Sequence, residues 1–334
     1  MEPKFQKIQS TKDLLTDVKN WRKDGPKLIE RKWNVFNNSP DIDKGCCKVR
    51  VMQWNILAQA LCSADDNFIR CGPSTLEWEK RKWKMLEVML EHDPDILCLE
   101  EVDQYSFFNA ALESVGYTGI FTPKPDSPCL YVRGNSGPDG CAVFYRKDKY
   151  VLEKANSFVI APDHPVTNQI AAYAVLSDKT TSVKFCVLTT HFKAKQGYEE
   201  LRQNQAEHLV KFVQEDMSHI PVVICGDFNG NYQEPLYGVM KSSPVALESI
   251  YTRLQNDLSE PKYTSWKIRG SHSGGERESC KGIDYIWVTR VSVDVAGLLL
   301  LPTEEQIGPD RLPSSNYPSD HLHLVADLFI KCDE

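Results

Sequence analysis

From residue 49 onward, short apolar runs alternate with longer stretches in which apolar residues recur at helical spacing. The runs VRVMQWNIL, DILCLEE, GYTGIF, CAVFYR, IAAYAVL, VKFCVLTTH, PVVICGDFN, IDYIWV and HLHLVADLFI are short and mostly rich in β-branched or aromatic residues, and read as strands. Residues 76–92 carry Trp83, Leu86 and Leu90 on one stripe, and residues 198–217 place Leu201, Ala206, Leu209 and Val213 together; both read as amphipathic helices. Gly, Pro and Asn gather in the connections, and most strands follow one another without wide insertions. This pattern predicts an α/β chain with two sheets packed face to face and covered by helices. Periodicity alone does not separate that arrangement from a doubly wound sheet.

Residues 1–48 have a different texture. Leu14, Val18 and Trp21 mark one face of a short helix over 11–21, and a charged stretch then leads into Asn37-Asn38-Ser39-Pro40, which reads as a loop. The expected organisation is an N-terminal extension over 1–48, packed on or hanging from a main domain over 49–334. A length of 334 residues suits one large α/β domain as well as two ordinary ones.

Composition narrows the chemistry. A net charge of −7 argues against a uniformly basic surface that grips nucleic acid. It leaves an anionic substrate open, because a metal ion and a few basic side chains in one cleft reverse the local potential. The eleven cysteines form no CxxC pair, and Cys98, Cys186 and Cys225 lie inside apolar runs. That pattern suits buried free thiols in a reducing compartment better than disulfides or zinc. No run approaches the ~18 apolar residues of a membrane span. The first residues lack the apolar stretch of a signal peptide, and Glu2 and Asp13 count against a mitochondrial presequence. The expected location is the cytoplasm, and a mitochondrial isoform would need a different N-terminus.

Polar residues recur at the ends of the apolar strands. Asn55 ends the first, Glu100 and Glu101 end DILCL, His191 ends VLTT, and Asp227 and Asn229 end VVIC. Asp284 opens a later strand, and Asp320-His321 the last. Such groups can converge on one rim, where loops expose a cleft. A hard cation such as Mg²⁺ takes one or two carboxylates and keeps waters and substrate phosphate, a role that Glu101 fits. Each residue alone has a bland alternative: a carboxylate at a strand end is usually a solvated turn residue, and a single His is usually structural.

In order, however, WNIL, LEEVD, THFKAK, GDFN, IDYIW and SDH resemble the exonuclease–endonuclease–phosphatase superfamily over about residues 49–330, and its deadenylase-like branch in particular. The resemblance implies a DNase I-like sandwich. It implies Glu101 as the principal Mg²⁺ ligand, with Asn55 holding metal and phosphate. Asp227 and Asn229 would orient or activate the attacking water. His321, supported by Asp284, would contact the scissile phosphate, and His191 would stabilise developing charge. Asp320 would add metal affinity or tune the imidazole. Whether Asp227 or His321 takes the proton stays open.

Two positions depart from the family pattern: Glu100 stands where Gln is usual, and Lys195 where Arg is. Neighbours on a strand point to opposite faces, so Glu100 and Glu101 are not both expected at one metal. Lysine keeps the charge but loses the fork that binds phosphate bidentately. Lys124, Lys193, Lys195 and Arg269 match the basic residues that the resemblance places around the substrate. The implied substrate is compact: NADP⁺ or NADPH, losing its 2′-phosphate to give NAD⁺ or NADH and inorganic phosphate. The expected state is a monomer. The rival is a 3′–5′ exoribonuclease acting on poly(A), which uses the same catalytic residues. No interleaved basic–aromatic run is evident, so RNA is not favoured. A non-catalytic scaffold is disfavoured because every catalytic residue type is present.

Overall fold

Nearly every apolar run forms a strand that is buried on both faces, because one face meets a second sheet and the other meets helices. The computed structural model describes residues 5, 10–36, 45–62, 68–161, 163, 167–270 and 275–331. The Asn37–Pro40 loop lies outside them. The first sheet runs in spatial order β1 (Trp33–Val35), β14 (Val293–Leu299), β15 (Leu324–Lys331), β2 (Cys46–Asn55), β3 (Ile96–Glu100), β5 (Gly140–Arg146) and β4 (Tyr117–Pro123). The second runs β10 (Leu247–Ser249), β13 (Asp284–Thr289), β9 (Val222–Asp227), β8 (Lys184–His191), β7 (Ile170–Asp178) and β6 (Tyr150–Val159). A separate hairpin pairs β11 (Ser265–Gly270) with β12 (Glu276–Lys281).

Alternation along the strands divides the core. Val51, Ile96, Cys98, Val187, Val223, Cys225 and Ile286 fill the space between the sheets. Met52, Trp54, Leu97 and Leu99 turn outward to α3 (Trp78–His92) and α4 (Tyr105–Ser114). Leu188, Ile224 and Trp287 face α5 (Glu199–Asp216) and α6 (Pro235–Lys241). Each sheet contains one parallel pair, β2–β3 and β8–β9, spanned by α3 and α5 respectively. The carboxyl ends of both pairs meet at one rim, where an Asn55–Asp227 hydrogen bond joins the sheets.

The helix expected over 76–92 is interrupted. Glu77 is extended (φ −64°, ψ 128°) and separates α2 (Pro73–Leu76) from α3. The N-terminal helix α1 (Thr11–Trp21) matches its expected span, with Leu14 and Val18 fully buried and Trp21 against Trp83 at 4.8 Å. Arg31 donates to the backbone carbonyls of Leu299, Leu300 and His323, and Trp33–Val35 adds an edge strand to the first sheet. The strand β6 was not legible because it is an edge: most of its side chains face solvent, so it shows no apolar alternation. Asp320 and His321 do not open the last strand as expected. That strand begins at Leu324, and His321 lies in a bent segment bridged to Ser265 of β11.

Candidate active site

The rim has two ends. At the first, alternation sends Gln53 and Asn55 of β2 inward, and Glu100 of β3 inward beside them. Glu100 is fully buried between the sheets, accepting from Gln53 Nε2 (2.8 Å) and Thr189 Oγ1 (2.7 Å). Burial pushes its pKa well above the usual carboxylate range. Glu101 would point to the outer face if the strand continued. Its backbone instead turns left-handed (φ 56°), which brings the carboxylate to the cleft. There it accepts from Asn55 Nδ2 and from the Ala58 amide, both at 3.1 Å. Asn55 also donates to Asp227 Oδ2 at 3.0 Å, so one amide bridges the two carboxylates.

The other end is built by register. Asp227 is the lateral partner of His191 on β8 and of Asp284 on β13, which sets the three side by side. His321 approaches from its bent segment, with Nδ1 at 2.9 Å from Asp284 Oδ2 and Nε2 at 3.7 Å from Asp227 Oδ2. Burial opposes its charge, but the carboxylates of Asp284, Asp227 and Asp320 outweigh burial and raise its pKa to about 9. Asp227 is raised to about 6 by burial, which the His321 charge resists and the Asp284 charge reinforces. Asp227 Oδ1 accepts the amide of Asn229, whose own side chain donates to the Phe192 carbonyl at 3.1 Å. Asn229 therefore braces Asp227 through its backbone amide.

His191 stands in a contrasting state. Burial, with the nearby charges of Lys124, His321 and Lys267, holds its pKa well below the ordinary value. Lys124 Nζ lies 3.0 Å from His191 Nδ1, and an ammonium can only donate, so the ring proton sits on Nε2. That N–H faces Asp227 Oδ2 at 3.6 Å and Glu101 Oε1 at 4.0 Å. Lys124 is itself buried and paired with Asp139 at 2.9 Å. It stands directly beside His191 in the cluster.

Oxygen ligands for a divalent cation are present, and no thiolate is among them. Among the described residues, Asp227, Asp284 and His321 each offer an atom within 4.8 Å of the others. The Asp284 carboxylate is already occupied by Thr264 Oγ1 (2.6 Å), Gln53 Nε2 (3.3 Å) and His321 Nδ1. Glu101 keeps more open lone pairs, and it is the carboxylate best suited to hold a metal.

The remaining expected basic residues flank this cluster. Lys193 is partly buried over the Tyr198 ring at 5.1 Å, and burial together with Lys195 and Lys124 lowers its pKa. Lys195 is exposed in a left-handed turn (φ 82°) held by Arg202. Arg269 stacks over Phe68 at 4.8 Å and lies 3.8 Å from Asp320 Oδ2. The residue passed over in the sequence is Lys267, whose ammonium pairs with the same Asp320 oxygen. Its signal was present: in β11, Lys267 and Arg269 are two apart and share a face. Lys267, the His321 imidazolium and Arg269 together depress the pKa of Asp320 despite its burial. Gln53, Thr189 and Thr264 were also passed over, because a single polar residue within or beside an apolar strand gave no cue.

The chain matches the Endonuclease/Exonuclease/phosphatase family over residues 52–321. It is 46% identical over 285 residues to human nocturnin, a match covering 84% of this chain and 65% of that protein. It is 46% identical over 283 residues to the Xenopus laevis nocturnin, covering 84% and 72% respectively. The chain thus spans just under two thirds of the human protein's length. The structure of the human nocturnin catalytic domain superposes with a TM-score of 0.73 at 37% identity, covering 90% of this chain and 96% of that one. Fold, strand-end cluster and sequence agree, and the chain belongs to the Endonuclease/Exonuclease/phosphatase family, within which it is a homologue of the nocturnins.

Proposed function

We propose that this chain is a Mg²⁺-dependent phosphatase that removes the 2′-phosphate of NADP⁺ and NADPH, giving NAD⁺ and NADH plus inorganic phosphate. Family membership supports a hydrolase of the phosphatase or nuclease type, and the finer assignment is our reading of the site. Two more distant relatives are a 2′,5′-phosphodiesterase (27% identical) and a 3′-5′-exoribonuclease (26% identical), names that both refer to ribose phosphate esters. The observation that carries the reading is the charge layout of the rim. A cationic His321, a neutral His191 and an accessible Glu101 are flanked by Lys193, Lys267 and Arg269 in a chain of net charge −7. Such a local basic ring suits a small, highly charged substrate.

Glu101, with Asn55 beside it, would hold Mg²⁺, which supplies charge neutralisation on the phosphoryl oxygens. Asp227 is ionised at neutral pH and lies where it can take a proton from the attacking water. His321 is protonated there, and its Nε2–H donates to a phosphoryl oxygen while Asp284 fixes the ring from Nδ1. His191 adds a second, neutral donor from Nε2, with no charge to be desolvated. Asp320 anchors Lys267 and Arg269, aiming both at anionic substrate groups.

The alternative reading is a 3′–5′ exoribonuclease on poly(A), which the same catalytic groups would serve. Purified protein with Mg²⁺ separates them: phosphate released from NADPH supports the proposal, while AMP from oligo(A) with NADPH intact overturns it. Glu101→Ala protein serves as the control for both.

A further inference from the structure

The rim is assembled from segments far apart in the chain, and one fully buried side chain outside the cluster connects two of them. Arg81 of α3 donates from Nε to the Pro318 carbonyl (2.8 Å) and from Nη1 to Gln59 Oε1 (2.7 Å). Its Nη2 donates to the carbonyls of Ile56 (2.8 Å) and Leu57 (2.7 Å). The partners are all carbonyl oxygens, split between the loop that follows Asn55 and the loop that precedes His321.

Both loops place reactive groups. In the first, Leu57 sits in left-handed backbone (φ 61°), with its amide donating to Asn55 Oδ1 at 3.0 Å. A leucine holds that conformation only where its surroundings enforce it. The next amide, that of Ala58, donates to Glu101. In the second loop, Ser319 donates to the Asn55 carbonyl (2.7 Å) and accepts the amide of His321 (3.1 Å). A planar guanidinium can address both loops at once, whereas an ammonium in its place offers one point of attachment.

We propose that Arg81 is a positioning residue that locks the 56–59 and 318–321 loops together, so that the Glu101 end and the His321 end of the site keep one fixed spacing. This rests on the cleft being a phosphoesterase site and not on which ester it cleaves. The geometry explains why a full positive charge is buried without touching the reaction: it is solvated by four carbonyl dipoles whose loops it holds in place.

The test compares wild-type protein with Arg81→Lys and Ser319→Ala at saturating Mg²⁺, on NADPH and on oligo(A), alongside amide hydrogen exchange. For whichever substrate is cleaved, Arg81→Lys should lower kcat about 10- to 100-fold, as a misplacement near 1 Å does, with KM within about twofold. Exchange should rise in peptides covering both loops and stay unchanged in the strands. Ser319→Ala should move the same quantities less, and it decides the matter if Arg81→Lys does not fold. Wild-type kcat with unchanged exchange, a loss confined to KM, or faster exchange in one loop only would overturn the proposal. If wild-type protein cleaves neither substrate, the functional reading fails, and the paired exchange response still decides the role of Arg81.

Discussion

His321 and His323 are two residues apart, equally buried, and chemically opposite. His321 faces three carboxylates, and its pKa is raised to about 9 in spite of burial. His323 meets Trp54 at 5.5 Å and Tyr317 at 5.9 Å, with its Nε2 3.0 Å from His92 Nε2. No carboxylate is among these partners, so burial and the charge of Arg31 keep His323 well below its ordinary pKa and lower His92 to about 3. Burial alone therefore does not make a histidine functional. The charges facing it decide whether it is a proton donor or a packed ring.

The largest break in this comparison comes from the carboxylate that would hold the metal. Glu101→Ala, or removal of Mg²⁺ by chelation, should lower turnover by about 10³-fold or more, the several kcal/mol that a metal contributes. Phosphate release with and without restored Mg²⁺ measures it. His321→Ala should cost about 10²- to 10³-fold in kcat, the range for losing one preorganised donor to developing negative charge. Asp284→Asn should cost less, because the ring remains but loses the charge that keeps it protonated. Lys267→Ala and Arg269→Ala should each raise KM for NADPH by about 10-fold, the loss of one charged hydrogen bond, while kcat moves little.

A pH profile sharpens the contrast. If Asp227 acts ionised and His321 protonated, as proposed, kcat should rise as pH passes through about 6 and fall as it passes through about 9. Asp284→Asn should move the alkaline limb to lower pH, and an unmoved limb would separate it from His321. The smallest effect belongs to the other histidine. His323→Phe should leave kcat within about twofold while costing about 1–3 kcal/mol of stability, because the Tyr317 hydroxyl loses the imidazole and keeps only the residue 323 backbone amide, as thermal melting would show.

Much of the candidate site was legible because it lies at strand ends, where an apolar run stops on a polar residue. Asn55, Glu101, His191, Asp227, Asp284 and His321 were all found that way, and the structure brings them together. Lys267 was passed over because a lysine in a short hairpin resembles any surface lysine until its partner Asp320 is known. Glu100 and Glu101 were separated by strand alternation, yet the position of Glu101 comes from its left-handed turn, which no residue pattern announces. Arg81 reads in sequence as one more charge on an amphipathic helix, and its burial depends on two loops that arrive from opposite ends of the chain.

Local pattern thus determined the strands, the main helices and the identity of most rim residues, because burial imposes a period on the residues that undergo it. Tertiary structure alone decided which carboxylate turns to the cleft, which histidine is charged, and which lysine is paired with which acid. Those properties depend on distances between groups remote in sequence, and electrostatic interactions in a buried site are set by a few ångströms that no one segment specifies.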